Sequence, residues 1–337
     1  MTRDYTQFQL GDIQLQSGDR LPNAQLSYVT FGTLNADRSN IILIPTYYTG
    51  THRSYHSLIQ PGRAFDPDKY FIIVVNMFGN GISSSPSNTP APHGGGNFPT
   101  ITLYDNVIYQ HQLLSDVFGI DHIALVAGWS MGAQQTFHWA AIYPDQVKRI
   151  VPWCGSAKTS VHNWVFLEGV KAALTTDAQY QDGHYQIPPT QGLKAFGRVY
   201  AGWAYSQAFF RDGLYQQLGF DSAEALLRFW EEDHLTWDAN DLLAMLWSWQ
   251  HADISDNPLY KGDFQAALQS IRARAIVMPA ETDLYFPPED SEIEVMHMPN
   301  AELRVIPSKW GHCAGGPDRN PVDTAFVEAA IKNVLST

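Results

Sequence analysis

The chain carries two kinds of apolar pattern, and their order predicts its architecture. Ile41-Ile42-Leu43-Ile44-Pro45 and Tyr70-Phe71-Ile72-Ile73-Val74-Val75-Asn76 are continuous apolar runs, the pattern of strands covered on both faces. Ahead of them, Phe8 to Leu15 and Leu26-Ser27-Tyr28-Val29-Thr30-Phe31 alternate apolar with polar residues on either side of Ser17-Gly18-Asp19, which reads as an antiparallel hairpin entering a sheet. From Thr102 to Phe118 the apolar positions Leu103, Val107, Ile108, Leu113, Leu114 and Val117 share one broad face, so a helix is expected there. A short strand, Ile123 to Ala127, follows it. Apolar residues then recur at helical spacing from Ala133 to Ile142, stopped by Pro144-Asp145, and a further strand runs from Val147 to Pro152. Strands alternating with helices imply a mostly parallel sheet with right-handed crossovers.

The alternation stops near residue 157 and resumes with strands at Ala275-Ile276-Val277-Met278 and Glu302-Leu303-Arg304-Val305-Ile306, before a closing helix from Pro321 to Leu335. Residues 157–268 are helical in tendency and hold six of the ten tryptophans. The expected organisation is therefore one core, residues 1–156 and 269–337, interrupted by a helical insertion at 157–268. The insertion's aromatics read as packing against the core or, alternatively, as the lining of an access channel. Residues 77–104 have no period of either kind and are rich in Gly, Ser and Pro, so a loop is expected there.

Composition narrows the partners. A net charge of −13 argues against nucleic acid and anionic membrane surfaces, both of which select basic patches. No apolar run is long enough for a membrane span, the first residues lack the apolar core of a signal peptide, and two cysteines, Cys154 and Cys313, are too few for a disulfide framework. A soluble, cytoplasmic protein is expected. No His, Cys or carboxylate pair has metal-ligand spacing, and Glu231-Glu232-Asp233-His234 reads as a solvated helix face. No metal or cofactor is expected.

The strongest chemical signal is Gly128-Trp129-Ser130-Met131-Gly132, placed between a strand and a helix. In that setting G-x-S-x-G reads as a nucleophile elbow. The glycines let the two backbones close around a strained residue, which lifts the Ser130 hydroxyl to the end of the sheet. Met131, first in the helix, offers its N–H to an oxyanion at the positive end of the helix dipole. A serine nucleophile needs a base and an orienting acid. These should follow in the order acid, then His, in loops after the last strands. Pro279-Ala280-Glu281-Thr282-Asp283-Leu284 and Pro307-Ser308-Lys309-Trp310-Gly311-His312 fill those places. Asp283, next to an expected helix start at Tyr285 to Pro288, competes with Glu281 for the acid; His312 alone occupies the final loop. The second oxyanion donor is expected after Ile44, from the N–H of Tyr48 or alternatively Tyr47. Two features of the 77–104 loop are set aside: His93-Gly94-Gly95-Gly96 reads as a surface segment rather than an oxyanion loop, and Ser83-Ser84-Ser85 as a solvated turn.

With these residues in place, nearly the whole chain resembles the homoserine O-acetyltransferase family of the α/β-hydrolase fold. The resemblance rests on Thr49-Gly50-Thr51-His52, Tyr70 to Gly79, Asn97 to Thr102, Asp105-Asn106-Val107 with Gln110, and Gly128 to Gln135, which is similar to the family's GGSMGGMQ. It rests also on the spacing of Arg198 and Tyr205. It implies an α/β-hydrolase fold in which residues 157–268 form a helical lid, a serine that takes an acyl group from acyl-CoA to an amino-acid hydroxyl, and usually a homodimer. Arg198 and Tyr205 would meet the substrate carboxylate, or alternatively form hydrogen bonds within the lid.

Three positions depart from the family. Trp129 puts an indole beside the nucleophile, Tyr48-Thr49-Gly50-Thr51-His52 lacks the acid of the family's LTGDSH, and Gly311-His312-Cys313 replaces the His-Asp pair whose Asp holds the homoserine ammonium. Losing that charged partner would cost about 3 to 5 kcal/mol. The expected function is a serine carboxylic-ester hydrolase acting on a small ester or thioester, with Trp129, Cys313, Arg198 and Tyr205 as substrate contacts. The alternatives are an acyl-CoA-dependent acyltransferase with an acceptor other than homoserine, and a non-catalytic binding protein on a hydrolase scaffold. Near the expected mouth the only cations in sequence are His52, Arg53 and Lys309, a poor match for the phosphates of CoA.

Overall fold

The computed structural model describes residues 4–336. An N-terminal hairpin, β1 (Thr6–Gln14) and β2 (Arg20–Phe31), leads into β3 (Ile41–Pro45) and β4 (Phe71–Asn76). Helix α1 (Leu103–Phe118), strand β5 (Leu125–Trp129), helix α2 (Met131–Ile142) and strand β6 (Arg149–Trp153) follow. Helices α3 (Val161–Thr175), α4 (Thr190–Ala204), α5 (Gln207–Arg211), α6 (Ala223–His234), α7 (Ala239–Gln250) and α8 (Phe264–Ser270) precede β7 (Arg274–Val277). Helix α9 (Pro288–His297), strand β8 (Ala301–Leu303) and helix α10 (Pro321–Leu335) close the chain. The strands form one sheet in the order β1-β2-β4-β3-β5-β6-β7-β8. β1 and β2 pair antiparallel, as do β2 and β4, and the remaining pairs are parallel.

The all-apolar strands are buried on both faces because alternate side chains serve two cores. Ile42, Ile44, Ile72, Val74, Leu125, Ala127 and Val151 join a cluster with α10 and the helices after β6, whereas Ile41, Leu43, Ile73, Val75, Val126 and Ile150 join one with α1 and α2. The helices between β6 and β7 do not behave alike. Residues of α3, α4, α6 and α7 pack into the first cluster through Phe166, Phe196, Tyr200, Trp230 and Trp249, but Ala267 and Leu268 of α8 belong to the second. Helix α8 is thus a sheet-flanking helix, and the layer above the sheet ends at α7. No helix among the described residues is long and apolar enough to cross a membrane.

The 77–104 loop holds one surprise. Ser83, Ser84 and Ser85 are buried, not solvated. Ser83 Oγ donates to Asn76 O at 2.7 Å and accepts from Ser27 N at 2.9 Å; Ser84 Oγ accepts from Gln25 N at 2.9 Å; Ser85 Oγ accepts from Gly81 N at 2.8 Å. Short hydroxyls here satisfy backbone groups that a loop packed against β2 would otherwise leave orphaned. The His93 to Gly96 segment remains partly exposed. Farther along, Ser87 N and Oγ donate to the Asp241 carboxyl at 2.9 and 2.5 Å, tying the loop to α7.

Candidate active site

Ser130 sits between β5 and α2 with φ 58° and ψ −125°, a backbone conformation that costs a non-glycine residue about 1 to 3 kcal/mol. The glycines on either side make that turn feasible. A Cβ on Gly128 would lie 2.5 Å from the Gly132 backbone, and one on Gly132 would lie 2.7 Å from Pro45 O. The strained turn is braced from below, where Ser130 N donates to Trp153 O at 3.1 Å and Trp129 N to Tyr55 Oη at 3.1 Å. A buried amide chain ties α2 to the loop after β3. Trp139 Nε1 donates to Gln110 Oε1 (2.8 Å), Gln110 Nε2 to Gln135 Oε1 (2.7 Å), and Gln135 Nε2 to Thr46 O (2.8 Å).

The loops after β7 and β8 bring the remaining residues to Ser130. His312 Nε2 is 2.9 Å from Ser130 Oγ, and His312 Nδ1 is 2.9 Å from Asp283 Oδ2. With Nδ1–H donating to the carboxylate, Nε2 is left to accept from the serine hydroxyl. The other carboxylate oxygen, Asp283 Oδ1, accepts from the N–H groups of Tyr285 (2.7 Å) and Phe286 (3.2 Å). Asp283 is buried, whereas its competitor Glu281 is exposed. Thr282 links the two loops, donating to Ser308 O at 2.8 Å and accepting from Gly311 N at 3.1 Å. Aromatic rings enclose the imidazole: Trp129 stacks on it at 5.0 Å and 21°, and the Tyr285 centroid lies 4.5 Å away.

Above Ser130 is a cavity of about 190 Å³, walled by Tyr48, Trp129, Tyr200, Trp230, His312 and Cys313 among others. Met131 holds the first position of α2, where a helix leaves its N–H without an intrahelical partner. Burial pushes the Cys313 thiol up to about 11, so it is neutral and offers an ammonium group no counter-charge. Burial likewise raises the Tyr48 phenol well above its ordinary value and lowers His234, so both stand uncharged. The insertion's aromatics divide between the two roles considered for them: Trp230 and Trp237 face the cavity, Trp249 is fully buried, and Trp164 is exposed.

Several expected contacts lie elsewhere. Arg198 is not on the cavity wall; it pairs with Glu224 at 2.8 Å and Glu231 at 2.6 Å within the helical layer. Tyr205 is buried behind the wall, stacked on Phe209 at 4.1 Å. Of the supposed mouth cations, His52 is buried, with its backbone N–H on Asn76 Oδ1 (2.9 Å) and its ring Nε2 3.5 Å from Asp4 Oδ2; Arg53 pairs with Asp4 (2.6 Å) and Lys309 with Asp212 (2.7 Å). The cation that does reach the cavity is Arg319, which sequence reading missed. Its only signal was position, seven residues beyond His312 in the same loop. His234, expected on a solvated face, is buried and also lines the cavity. Among the described residues no group of three or more His, Cys, Asp or Glu could hold a metal ion.

An eight-stranded, mostly parallel sheet with a serine at the strand-to-helix elbow, and His and Asp delivered from the last loops, defines an α/β-hydrolase. Residues 40–185 match the α/β-hydrolase-fold family. The ethyl acetate hydrolase of Pseudomonas veronii is 40% identical over 333 residues, spanning 97% of this chain and 94% of that protein. The homoserine O-acetyltransferase of Chlorobaculum tepidum is 31% identical, over 90% of this chain and 87% of that one. The solved structure of the acetyl esterase MekB superposes with a TM-score of 0.96 at 38% identity, covering 99% and 97% of the two chains. The chain belongs to the homoserine O-acetyltransferase-like family of the α/β-hydrolase fold.

Proposed function

We propose that the protein is a serine carboxylic-ester hydrolase acting on small acyl esters, with Ser130 as nucleophile, His312 as general base and acid, and Asp283 orienting it. The observation that carries this reading is the continuous hydrogen-bonded series from Ser130 Oγ through His312 to Asp283, both steps at 2.9 Å, beneath a cavity walled largely by aromatic side chains. Ser130 Oγ attacks the ester carbonyl as its proton passes to His312 Nε2. The resulting oxyanion rests on the N–H groups of Met131 and Tyr48. His312 returns the proton to the departing alkoxide, leaving an acyl-enzyme and the free alcohol. Water then attacks the acyl group as His312 Nε2 takes its proton; the C–Oγ bond breaks, His312 returns that proton to Ser130 Oγ, and the carboxylic acid departs.

Water is favoured over an amino-alcohol acceptor for two reasons. Cys313 supplies no charge where the resemblance implies an ammonium-binding acid, and Arg198 is engaged by two carboxylates. The cavity, about 190 Å³, lies below the ~300 to 1,000 Å³ of sites for drug-sized ligands and suits a short ester. The names of the hydrolase and esterase relatives point the same way.

The test compares ethyl acetate and p-nitrophenyl acetate hydrolysis with acetyl-CoA consumption in the presence and absence of homoserine. Ester turnover without homoserine-dependent CoA release is expected. CoA release that rises with homoserine would instead assign the protein to the acyl-CoA-dependent transferases. A fluorophosphonate should label the wild type and not Ser130→Ala; an unlabelled wild type would leave only a binding role.

A further inference from the structure

The cavity has polar groups that the reaction steps above do not use. Arg319 is half-buried on its wall and makes no side-chain hydrogen bond or ion pair with any described residue, whereas Arg53, Arg198 and Lys309 are each paired with a carboxylate. Four further wall groups, all about nine-tenths buried or more, also lack hydrogen-bond partners among the described residues: Tyr48 Oη, His234 Nε2, Trp129 Nε1 and Trp230 Nε1. His234 Nδ1 is already committed to Trp230 O at 2.8 Å, so its proton lies on that side and Nε2 is left as an unused acceptor. A guanidinium has five donors that must be met when it leaves water, and an unpaired buried polar atom is costly. Unpartnered donors and acceptors on side chains that line one cavity are explained if a ligand completes them.

We infer that Arg319 is a specificity-determining residue, and that the preferred substrates are small esters bearing a carboxylate close to the scissile bond. This assignment rests on the hydrolase reading and deepens it. A carboxylate matches the planar fork of a guanidinium with two parallel N–H donors, and the Tyr48 hydroxyl is a further donor. His234 Nε2 accepts from a hydroxyl or from water that accompanies the charge. The neighbours that bear on Arg319 are Cys313, Tyr205, Tyr47 and Asp233. The first three are neutral at physiological pH. Asp233 is the one anion among them; it is 46% exposed, lies 3.5 Å from His234 Nδ1, and makes no ion pair with Arg319. The guanidinium charge is therefore left for a ligand.

The test uses pairs of esters that differ only in charge: acetoxyacetate against acetoxyacetamide, with the charge on the alcohol side, and monoethyl malonate against ethyl malonamate, with the charge on the acyl side. For at least one pair, kcat/KM of the wild type should favour the carboxylate by about 10- to 100-fold, mainly through KM, with the preference shrinking at high salt. Arg319→Gln should bring that ratio close to one while fluorophosphonate labelling of Ser130 persists, and Arg319→Lys should retain part of it. Neutral esters hydrolysed with no carboxylate preference in either pair, or a preference that survives Arg319→Gln, overturns the inference and leaves the hydrolase reading intact. Preference for 2-acetoxyethylammonium over both anions also overturns it and assigns recognition to Asp233. If Arg319→Gln does not fold, the wild-type ratio and its salt dependence decide. A protein that neither hydrolyses any of these esters nor reacts with the fluorophosphonate fails at the earlier reading, and the inference falls with it.

Discussion

The two halves of the cavity are built on opposite principles. On the floor, Ser130, His312 and Asp283 satisfy one another, and the spare carboxylate oxygen of Asp283 is taken up by two backbone N–H groups. On the wall, Tyr48 Oη and His234 Nε2 are buried without partners among the described residues, and the Arg319 side chain pairs with none of them. A closed network fixes geometry before substrate arrives, which is what preorganised catalysis requires. An open one keeps binding capacity for whatever enters. The difference between them separates a floor whose groups are already satisfied from a wall whose groups are still free to meet a ligand.

The comparison can be broken most severely from the floor. Ser130→Ala should lower ester turnover by about 10⁴-fold or more with an unchanged melting temperature, measured by initial rates alongside thermal unfolding. A variant that keeps substantial turnover would remove Ser130 from the mechanism.

The helical layer that carries part of the wall is held by Asp241, whose pKa burial raises to about 7 despite its hydrogen bonds from Ser87. The folded state keeps that proton up to near pH 7, whereas the unfolded chain loses it near 3.8. Stability should therefore fall as pH rises between about 4 and 7, by roughly 3 to 4 kcal/mol in total from this group. Asp241→Asn should flatten that part of the curve, and urea unfolding across the range measures it; an unaltered slope would show that Asp241 is not its source.

At the elbow, Gly132→Ala forces a Cβ to within 2.7 Å of Pro45 O and should cost about 2 to 3 kcal/mol of stability. Full stability would mean that the β3 end and α2 are free to separate. The smallest effect sharpens the contrast most. Tyr48→Phe removes a hydroxyl with no protein partner, so the ligand-free protein should gain about 1 kcal/mol in urea unfolding. A loss of stability there would mean that the wall is as closed as the floor.

What could be read in advance follows from where the information lies along the chain. Ser130 was legible because its requirements are local: a strand, two glycines and a helix within a dozen residues. His312 and Asp283 were legible because the topology fixes which loops reach the elbow. The run Ser83 to Ser85 misled because a string of hydroxyls looks alike whether water or backbone satisfies it. Helix α8 was grouped with the helices before it because the choice of packing partner leaves no mark in helical periodicity. Arg198 offered two readings, and the pairing observed with Glu224 and Glu231 depends on α4 and α6 lying side by side.

By itself, then, the sequence determined the strand and helix order, the elbow and the two loops that reach it, since periodicity, glycine placement and chain order are one-dimensional properties; the choice between Asp283 and Glu281 came from burial. Only the tertiary structure decided which cations were already paired, and so put Arg319 rather than His52, Arg53 or Lys309 on the cavity wall. Whether a charge is spent or free depends on neighbours distant in sequence, and a chain read residue by residue does not contain those distances.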